Sequence, residues 1–185
     1  CVRALQAQTL PPTAIYVVDN ASTDGTPEAL LQLRTEGSCP IISIRLTDNI
    51  GGAGGFAEGL ERACADGCEW AWLMDDDAEP QADALEQLLR VVRAPSDIYG
   101  SLAIKGKRTS WATTLLDDTS ARTVTLAADV PGYARVQSLP FLGFLVNRRL
   151  VEKIGLPDAG YFIAADDVEY CLRAERAGAR IYICG

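Results

Sequence analysis

The sequence predicts an α/β protein with a largely parallel central sheet. In the first half of the chain, short β-branched runs alternate three times with helical segments, which is the pattern of strand–helix–strand units. Each apolar run also ends in a polar loop. Ligands bind outside the carboxyl ends of the strands in open α/β sheets. The pattern therefore predicts both the fold class and the edge that would carry a site.

Composition narrows the class of protein. The 185 residues are 48% hydrophobic and 23% charged, as in an ordinary soluble globular chain, most simply a single domain. The net charge of −8 argues against nucleic acid as the main partner, although a bound cation allows a nucleotide at one site. The six cysteines are scattered and histidine is absent, which favours reduced thiols in a cytosolic protein over a zinc site.

The first three strand–loop–helix units follow one another directly. The predicted elements are a strand at 14–19, a helix capped by Thr26 with Pro27 as its first residue, a strand at 40–46, a helix ending near Cys64, a strand at 69–74 and a helix from about Gln81 to Arg93.

The second half has a different rhythm. Strand signals occur at 98–105 and about 141–146, and a helix is predicted from about Asp166 to Ala177 with Gly178 as its C-cap. Residues 105–138 suit a hairpin or a surface insertion. Their aromatic residues Trp111 and Tyr133 are interpreted as ordinary surface packing, with an acceptor groove as the alternative. Both ends of the sequence look cut, so we expect a fragment of a longer protein.

The loop DNIGGAGGF contains Gly51, Gly52, Gly54 and Gly55. Glycines let backbone amides approach a phosphate or ribose closely, and a following helix N-terminus favours an anion. The spacing matches neither G-x-G-x-x-G nor a Walker motif. From the residues alone, a tight strand-to-helix turn and a nucleotide contact are equally supported.

Three consecutive carboxylates, Asp75, Asp76 and Asp77, follow the apolar run 70–74. Their mutual repulsion is costly unless a cation or solvent relieves it. Mg²⁺ or Mn²⁺ is usually held by one or two carboxylates, with water and phosphate oxygens as the other ligands. The alternative is a solvated acidic turn before the next helix. The position after a buried-looking strand favours the metal.

A second acidic cluster, Asp166, Asp167 and Glu169, lies in the first turn of a predicted helix. Glu169 and Arg173 are four residues apart and are predicted to pair on the exposed helix face. The cluster either caps the helix or supplies a general base for a hydroxyl nucleophile.

Five motifs, in this order, resemble glycosyltransferase family 2. They are VVDNASTDGT, DNIGGAGGFAEGL, WLMDDDAEP, FLGFLVNRRLVEKIG and YFIAADDVEYCLRAERAG. The acidic triplet and the last motif are most similar to the galactofuranosyltransferase and rhamnosyltransferase branches. The resemblance covers nearly the whole chain and implies a GT-A (Rossmann-like) nucleotide-sugar-binding fold.

The resemblance also implies a role for individual residues. Asp19 would contact the uracil or thymine base, while Asn49, Gly51, Gly54 and Gly55 would line the nucleotide and donor-sugar pocket. Asp75 and Asp77 would hold Mn²⁺ or Mg²⁺ on the diphosphate, with Asp76 alongside towards the sugar. Asp167 would deprotonate the acceptor hydroxyl, and Asp166 and Glu169 would shape the acceptor site.

The expected activity is metal-dependent transfer, with inversion, from a UDP- or dTDP-linked sugar to a glycan or lipid-linked acceptor. Residues 1–94 are the expected nucleotide-binding half and residues 95–185 the acceptor-binding half of one GT-A domain. The protein is expected in the cytoplasm, with peripheral association at the inner face of a membrane as an option. A nucleotidyltransferase and a non-catalytic nucleotide-sugar-binding domain are the alternatives.

Two parts of the family pattern are missing here: an initial strand whose polar motif holds the base, and a histidine beyond the last strand. Both absences are expected of a chain truncated at its two ends.

Overall fold

The computed structural model describes residues 1–37 and 39–185. These residues form two units. Unit 1 comprises Cys1–Cys68, Asp76–Glu86 and Leu156–Asp166, and unit 2 comprises Glu69–Asp75, Gln87–Gly155 and Asp167–Gly185.

Helices and strands alternate through the first half of the chain, as predicted. The α-helices are α1 (Val2–Gln6), α2 (Thr26–Glu36), α3 (Gly51–Ala65), α4 (Ala84–Val91), α5 (Arg148–Ile154) and α6 (Asp166–Arg176), with 3₁₀ turns at Ala127–Asp129 and Ala159–Tyr161. The strands are β1 (Ile15–Asp19), β2 (Ile41–Arg45), β3 (Trp70–Leu73), β4 (Ile98–Ser101), β5 (Ile104–Lys105), β6 (Arg108–Leu116), β7 (Ala121–Leu126), β8 (Tyr133–Val136), β9 (Phe144–Asn147) and β10 (Ile181–Cys184).

The prediction of a largely parallel sheet is wrong, because the strands of unit 2 form a mixed sheet. In unit 1, β1 and β2 pair in parallel. In unit 2, eight strands pair in the order β3-β9-β4-β10-β8-β6-β5, with β7 on β6. Of these pairs only β4 with β10 is parallel.

The sheet of unit 2 is mixed because of the position of β9. It lies between β3 and β4 and runs antiparallel to both, although the sequence separates it from them by the whole hairpin region. A helix joins β3 to β4, as in a parallel crossover, but the two strands are not neighbours. Directly connected strands such as β6 and β7 reverse direction through a tight turn and pair antiparallel.

Helix α4 is shorter than the helix predicted for 81–93. The Gln8 side chain donates to the Gln81 carbonyl at 2.7 Å, and its Oε1 accepts the Leu85 N–H at 3.0 Å. The Thr9 N–H donates to the Ala82 carbonyl at 2.7 Å. Backbone groups that would extend the helix are therefore bonded to the N-terminal segment, which caps α4 in a way that local sequence does not reveal.

Helix α2 also begins slightly differently from the prediction. Thr26 is its first residue, Gly25 is the N-cap, and the Asp24 carboxylate accepts the Thr26 N–H at 2.9 Å. The cap is thus shifted by one residue, and Asp24 supplies the side-chain acceptor.

The apolar centre of unit 2 includes Leu88, Tyr99 and Leu145, all at most 1% exposed. The Tyr99 ring stacks on Tyr182, and Tyr182 stacks on Tyr133 at 5.0 Å between ring centroids. Tyr133 thus packs against another aromatic ring, as in the interpretation of ordinary packing, and is 40% exposed. Trp111 lies where the β6–β7 register is irregular, and it is 64% exposed.

Candidate active site

The predicted site residues belong to both units. Unit 1 holds Asp19, Asn49, Gly51, Gly54, Gly55, Asp76, Asp77 and Asp166, and unit 2 holds Asp75, Asp167 and Glu169. Most of them follow a strand or begin a helix, as the sequence predicts.

Asp19 ends β1 and is 3% exposed. Its Oδ1 accepts the Ser22 N–H at 2.8 Å, and its Oδ2 accepts a hydrogen bond from the guanidinium of Arg45, the directly opposite residue on β2. Burial alone would raise the pKa of Asp19, but the hydrogen bonds from Ser22 and the charge of Arg45 outweigh it, so the pKa lies below its ordinary value. Both oxygens of this carboxylate therefore accept hydrogen bonds from the protein itself, Oδ1 from the loop after β1 and Oδ2 from Arg45 on β2.

Arg45 contacts the candidate site residue Asp19, and the sequence analysis did not single it out. Its second nitrogen donates to the Ser22 carbonyl at 2.8 Å, so the guanidinium bridges Asp19 and the loop after β1. About half of its side chain is exposed. The signal for Arg45 in the sequence was a basic residue at the end of the predicted strand that follows the strand of Asp19.

Arg45→Ala is expected to destabilise unit 1 by about 2 kcal/mol at pH 7. A buried carboxylate that loses its partner costs roughly 3–5 kcal/mol, and we reduce this because half of the Arg45 side chain meets solvent. The folded-state pKa of Asp19 is depressed, so the pair contributes stability above the unfolded pKa of about 4 and loses it as the pH falls through the folded value. The penalty should shrink between pH 7 and pH 3.

Urea unfolding followed by far-ultraviolet circular dichroism measures this effect, since all three tryptophans belong to unit 2. Arg62→Ala is the matched control. Its partner Asp66 is exposed and four residues away on the same segment, so its loss should cost less than about 0.5 kcal/mol. Equal penalties in the two variants would show that the Asp19–Arg45 pair is an ordinary surface contact.

A network of side-chain amides shapes the connection between β2 and α3. The Asn49 Oδ1 accepts the Gly51 N–H at 2.9 Å. Asn20, which the sequence analysis also passed over, accepts the Ile50 N–H at 2.9 Å and donates to the Gly51 carbonyl at 2.7 Å. Asn49 is thus held in a turn directly before α3.

The glycines lie in the first turns of α3 rather than in a loop before it. A Cβ added to Gly51, whose φ is +78°, would lie 2.1 Å from the Phe162 carbonyl oxygen, and that oxygen accepts the Ala53 N–H at 3.1 Å. A Cβ at Gly54 would lie 2.7 Å from the Ile50 side chain. Close packing therefore explains these two glycines.

The other two glycines have more room. A Cβ on Gly55 would make only an ordinary contact with the Asn20 amide at 3.5 Å, and one on Gly52 would meet nothing within 4 Å. Gly52 is exposed, so the open side of this helical turn lies there.

The acidic triplet follows β3, and Asp75, Asp76 and Asp77 are all exposed. Exposure to solvent is one of the two ways in which such repulsion is relieved. Within residues 1–37 and 39–185, no three His, Cys, Asp or Glu side chains converge on a position that would hold a metal ion. An ion completed by diphosphate and water needs one or two carboxylates from the protein. The hard oxygen donors of Asp75 and Asp77 fit such an ion.

Helix α6 begins with the pair Asp166 and Asp167. Asp166 is 7% exposed, whereas Asp167 is partly exposed and its Oδ1 accepts the Val168 N–H at 2.7 Å. The approach to the helix is strained, because Ala164 and Ala165 have φ values of 71° and 67°. Non-glycine residues in this region persist only where the surroundings impose them, and such strain is often found at functional sites.

The predicted pair of Glu169 and Arg173 is confirmed. Two nitrogens of Arg173 donate to the two carboxylate oxygens of Glu169 at 3.0 and 2.6 Å. Arg173 also donates to the Ile154 carbonyl at 2.9 Å and lies over the Tyr170 ring. The pair is partly buried rather than on the open helix face, and it ties α6 to the end of α5.

Among the described residues, no helix has the length and apolarity needed to cross a bilayer.

Comparison with solved structures identifies the fold. A mannosyltransferase from Pyrobaculum calidifontis, solved with GDP-Man and Mn²⁺, superposes with a TM-score of 0.71 at 20% identity, covering 100% of this chain and 49% of that one. Residues 1–349 of S. aureus TarS, solved with UDP, give 0.69 at 16% identity, covering 99% and 54%. GalNAc-T7, solved with UDP, GalNAc and Mn²⁺, gives 0.72 at 14% identity, covering 93% and 36%. These likenesses show the GT-A fold.

Curated sequences extend the comparison. Galactofuranosyltransferase GlfT1 of Mycobacterium tuberculosis (strain H37Rv) is 34% identical over 196 residues, covering 97% of this chain and 60% of that protein. GlfT1 of Mycolicibacterium smegmatis is 30% identical, covering 98% and 62%. The chain thus spans about 60% of the length of these relatives. The model of the family described as glycosyl transferase family 2 matches residues 1–155, and the chain belongs to that family.

Proposed function

We propose that this chain carries the donor-binding and catalytic residues of a metal-dependent, inverting glycosyltransferase. The donor is a nucleotide diphosphate sugar, linked to UDP or dTDP, and the acceptor is a hydroxyl of a glycan or lipid-linked glycan. The similarity to GlfT1 supports a galactofuranosyl donor. The observation that carries the proposal is the exposed acidic triplet after β3, in a chain of this family.

On the donor side, Asp75 and Asp77 would hold Mn²⁺ or Mg²⁺, and Asp76 would face the sugar. The bound ion would neutralise charge on the departing diphosphate. Asp19, Asn49 and the α3 glycines would line the nucleotide and donor-sugar pocket. Asp19 is buried, and its carboxylate is bonded to Ser22 and Arg45. Its contact with the base would therefore depend on the position of the loop that these bonds hold.

On the acceptor side, Asp167 would act as the general base. It takes the proton of the acceptor hydroxyl as that oxygen forms its bond to the anomeric carbon. The bond from this carbon to the diphosphate oxygen breaks, and the nucleoside diphosphate leaves with the electron pair. A single displacement of this kind inverts the anomeric configuration. Asp166 and Glu169 would shape the acceptor site, with Glu169 acting through its bond to Arg173.

Calorimetric titration of the full chain with UDP, dTDP and GDP, with and without Mn²⁺, tests the donor site. We expect Mn²⁺-dependent binding of one nucleotide and at least a 100-fold loss, about 2.7 kcal/mol, in the double variant Asp75→Asn/Asp77→Asn. The double variant Asp118→Asn/Asp129→Asn removes the same charge from exposed positions of unit 2 and should bind like the wild type.

Equal affinity with and without Mn²⁺, unchanged in the Asp75→Asn/Asp77→Asn variant, would contradict the metal site. Nucleotide binding without transfer to any hydroxyl acceptor would favour a non-catalytic binding domain. Transfer assays with UDP-galactofuranose and UDP-galactopyranose then decide the sugar, and we expect only the furanose to serve as donor.

A further inference from the structure

Asn20 makes two hydrogen bonds to a segment that lies 30 residues further along the chain. It directly follows β1, and its side-chain amide bonds to the backbone between β2 and α3. The Ile50 N–H donates to its Oδ1 at 2.9 Å, and its Nδ2 donates to the Gly51 carbonyl at 2.7 Å. The side chain thus uses a donor and an acceptor together, as a peptide group does in a sheet.

These bonds continue the β1–β2 pairing past its end. The regular ladder stops at Asp19 and Arg45, followed by one bond from the Leu46 N–H to the Asp19 carbonyl at 2.9 Å. Residues 47–50 then lead to α3 without further ladder bonds to β1. The Asn20 amide therefore ties this connection to the end of β1 in unit 1.

The Asn20 amide lies against α3. A Cβ added to Gly55 would make an ordinary contact with its Nδ2 at 3.5 Å. Asn49 completes the turn by accepting the Gly51 N–H. Asn20 therefore determines where Asn49 and the open first turn of α3 at Gly52 lie relative to β1.

We propose that Asn20 is a positioning residue for the nucleotide donor. It touches no reacting atom; it holds Asn49 and the first turn of α3 in the arrangement that receives the donor. This inference rests on the proposed function, which assigns Asn49 and the α3 glycines to the nucleotide and donor-sugar pocket. Aspartate is nearly isosteric but cannot donate to the Gly51 carbonyl, so both hydrogen-bonding functions of asparagine are needed.

The test compares Asn20→Asp and Asn20→Ala with Asp24→Ala in the full chain. The Asp24 carboxylate also bonds locally within unit 1, accepting the Thr26 N–H, so its loss controls for a general loss of stability. The probe is UDP with Mn²⁺. We expect both Asn20 variants to bind UDP at least tenfold more weakly and to raise the donor KM in parallel. The acceptor KM and the kcat at saturating donor should stay within twofold of wild type.

A direct readout accompanies the kinetics. Hydrogen exchange at the Ile50 N–H should be faster in Asn20→Ala, which removes its acceptor, and unchanged in Asp24→Ala. Wild-type UDP affinity in both Asn20 variants would overturn the inference while leaving the proposed function intact. The inference would also be overturned if Asp24→Ala lost as much UDP affinity, for the same lowering of the melting temperature, as the Asn20 variants. Unfolding of both Asn20 variants would overturn it too. A wild-type chain that binds none of UDP, dTDP or GDP overturns the proposed function and this inference together.

Discussion

Asp167→Asn is expected to lower kcat by roughly 10³-fold and to leave nucleotide affinity within twofold of wild type. A positioned general base contributes about 10²–10⁴-fold, and the amide cannot take the acceptor proton. Asparagine keeps an oxygen that accepts the Val168 N–H, so the start of α6 should survive the change. The measurement is steady-state transfer from the nucleotide sugar beside calorimetric titration of the nucleotide with Mn²⁺.

Asp118→Asn is the matched control for this variant. It makes the same chemical change at an exposed position of the β6–β7 turn and should keep wild-type turnover. A kcat in Asp167→Asn within tenfold of that control would exclude Asp167 as the base. A parallel collapse of nucleotide binding would instead give Asp167 a structural or donor-binding role.

Gly51→Ala is expected to destabilise the protein by about 3 kcal/mol. Its φ of +78° costs a residue with a side chain roughly 1–2 kcal/mol, and overpacking adds a similar amount. The new methyl would lie 2.1 Å from the Phe162 carbonyl oxygen, so the backbone at Phe162 has to move. Because this oxygen accepts the Ala53 N–H, that amide should also exchange faster with solvent. Urea unfolding and hydrogen exchange measure the two effects.

The neighbouring glycine provides an internal control for Gly51. A Cβ at Gly52 meets nothing within 4 Å, and the residue is exposed within the same helix. Gly52→Ala should therefore be neutral or stabilise by about 0.5 kcal/mol, because alanine loses less backbone entropy in a helix. Similar stability of the two variants would show that the Phe162 backbone yields easily and that the glycine at position 51 is not required.

Local sequence was sufficient for features that depend on residues a few positions apart. Alternating apolar runs and helical segments predict β1, α2, β2, α3 and β3 in the observed order. The Glu169–Arg173 pair follows from one helical turn of spacing. The acidic triplet is exposed at the end of a strand, where the pattern predicts it. The family itself could be recognised because its motifs are contiguous stretches of sequence.

Only the tertiary structure decided features that depend on distant residues. The sheet of unit 2 is mixed because β9 enters between β3 and β4, and periodicity carries no information on strand order. Gln8 determines where α4 begins through bonds to residues more than 70 positions away.

The same limit applies to the candidate site. The sequence alone determined which polar residues follow the strands, because this is a property of neighbouring positions. It predicted the glycines in a loop, whereas the structure has them in the first turns of α3. The sequence did not determine that Arg45 holds Asp19, that Asn20 holds the turn at Ile50 and Gly51, or that Gly51 makes room for Phe162. Each of these contacts joins segments at least 26 residues apart in the chain. Such contacts exist only once the chain has folded and brought the segments together.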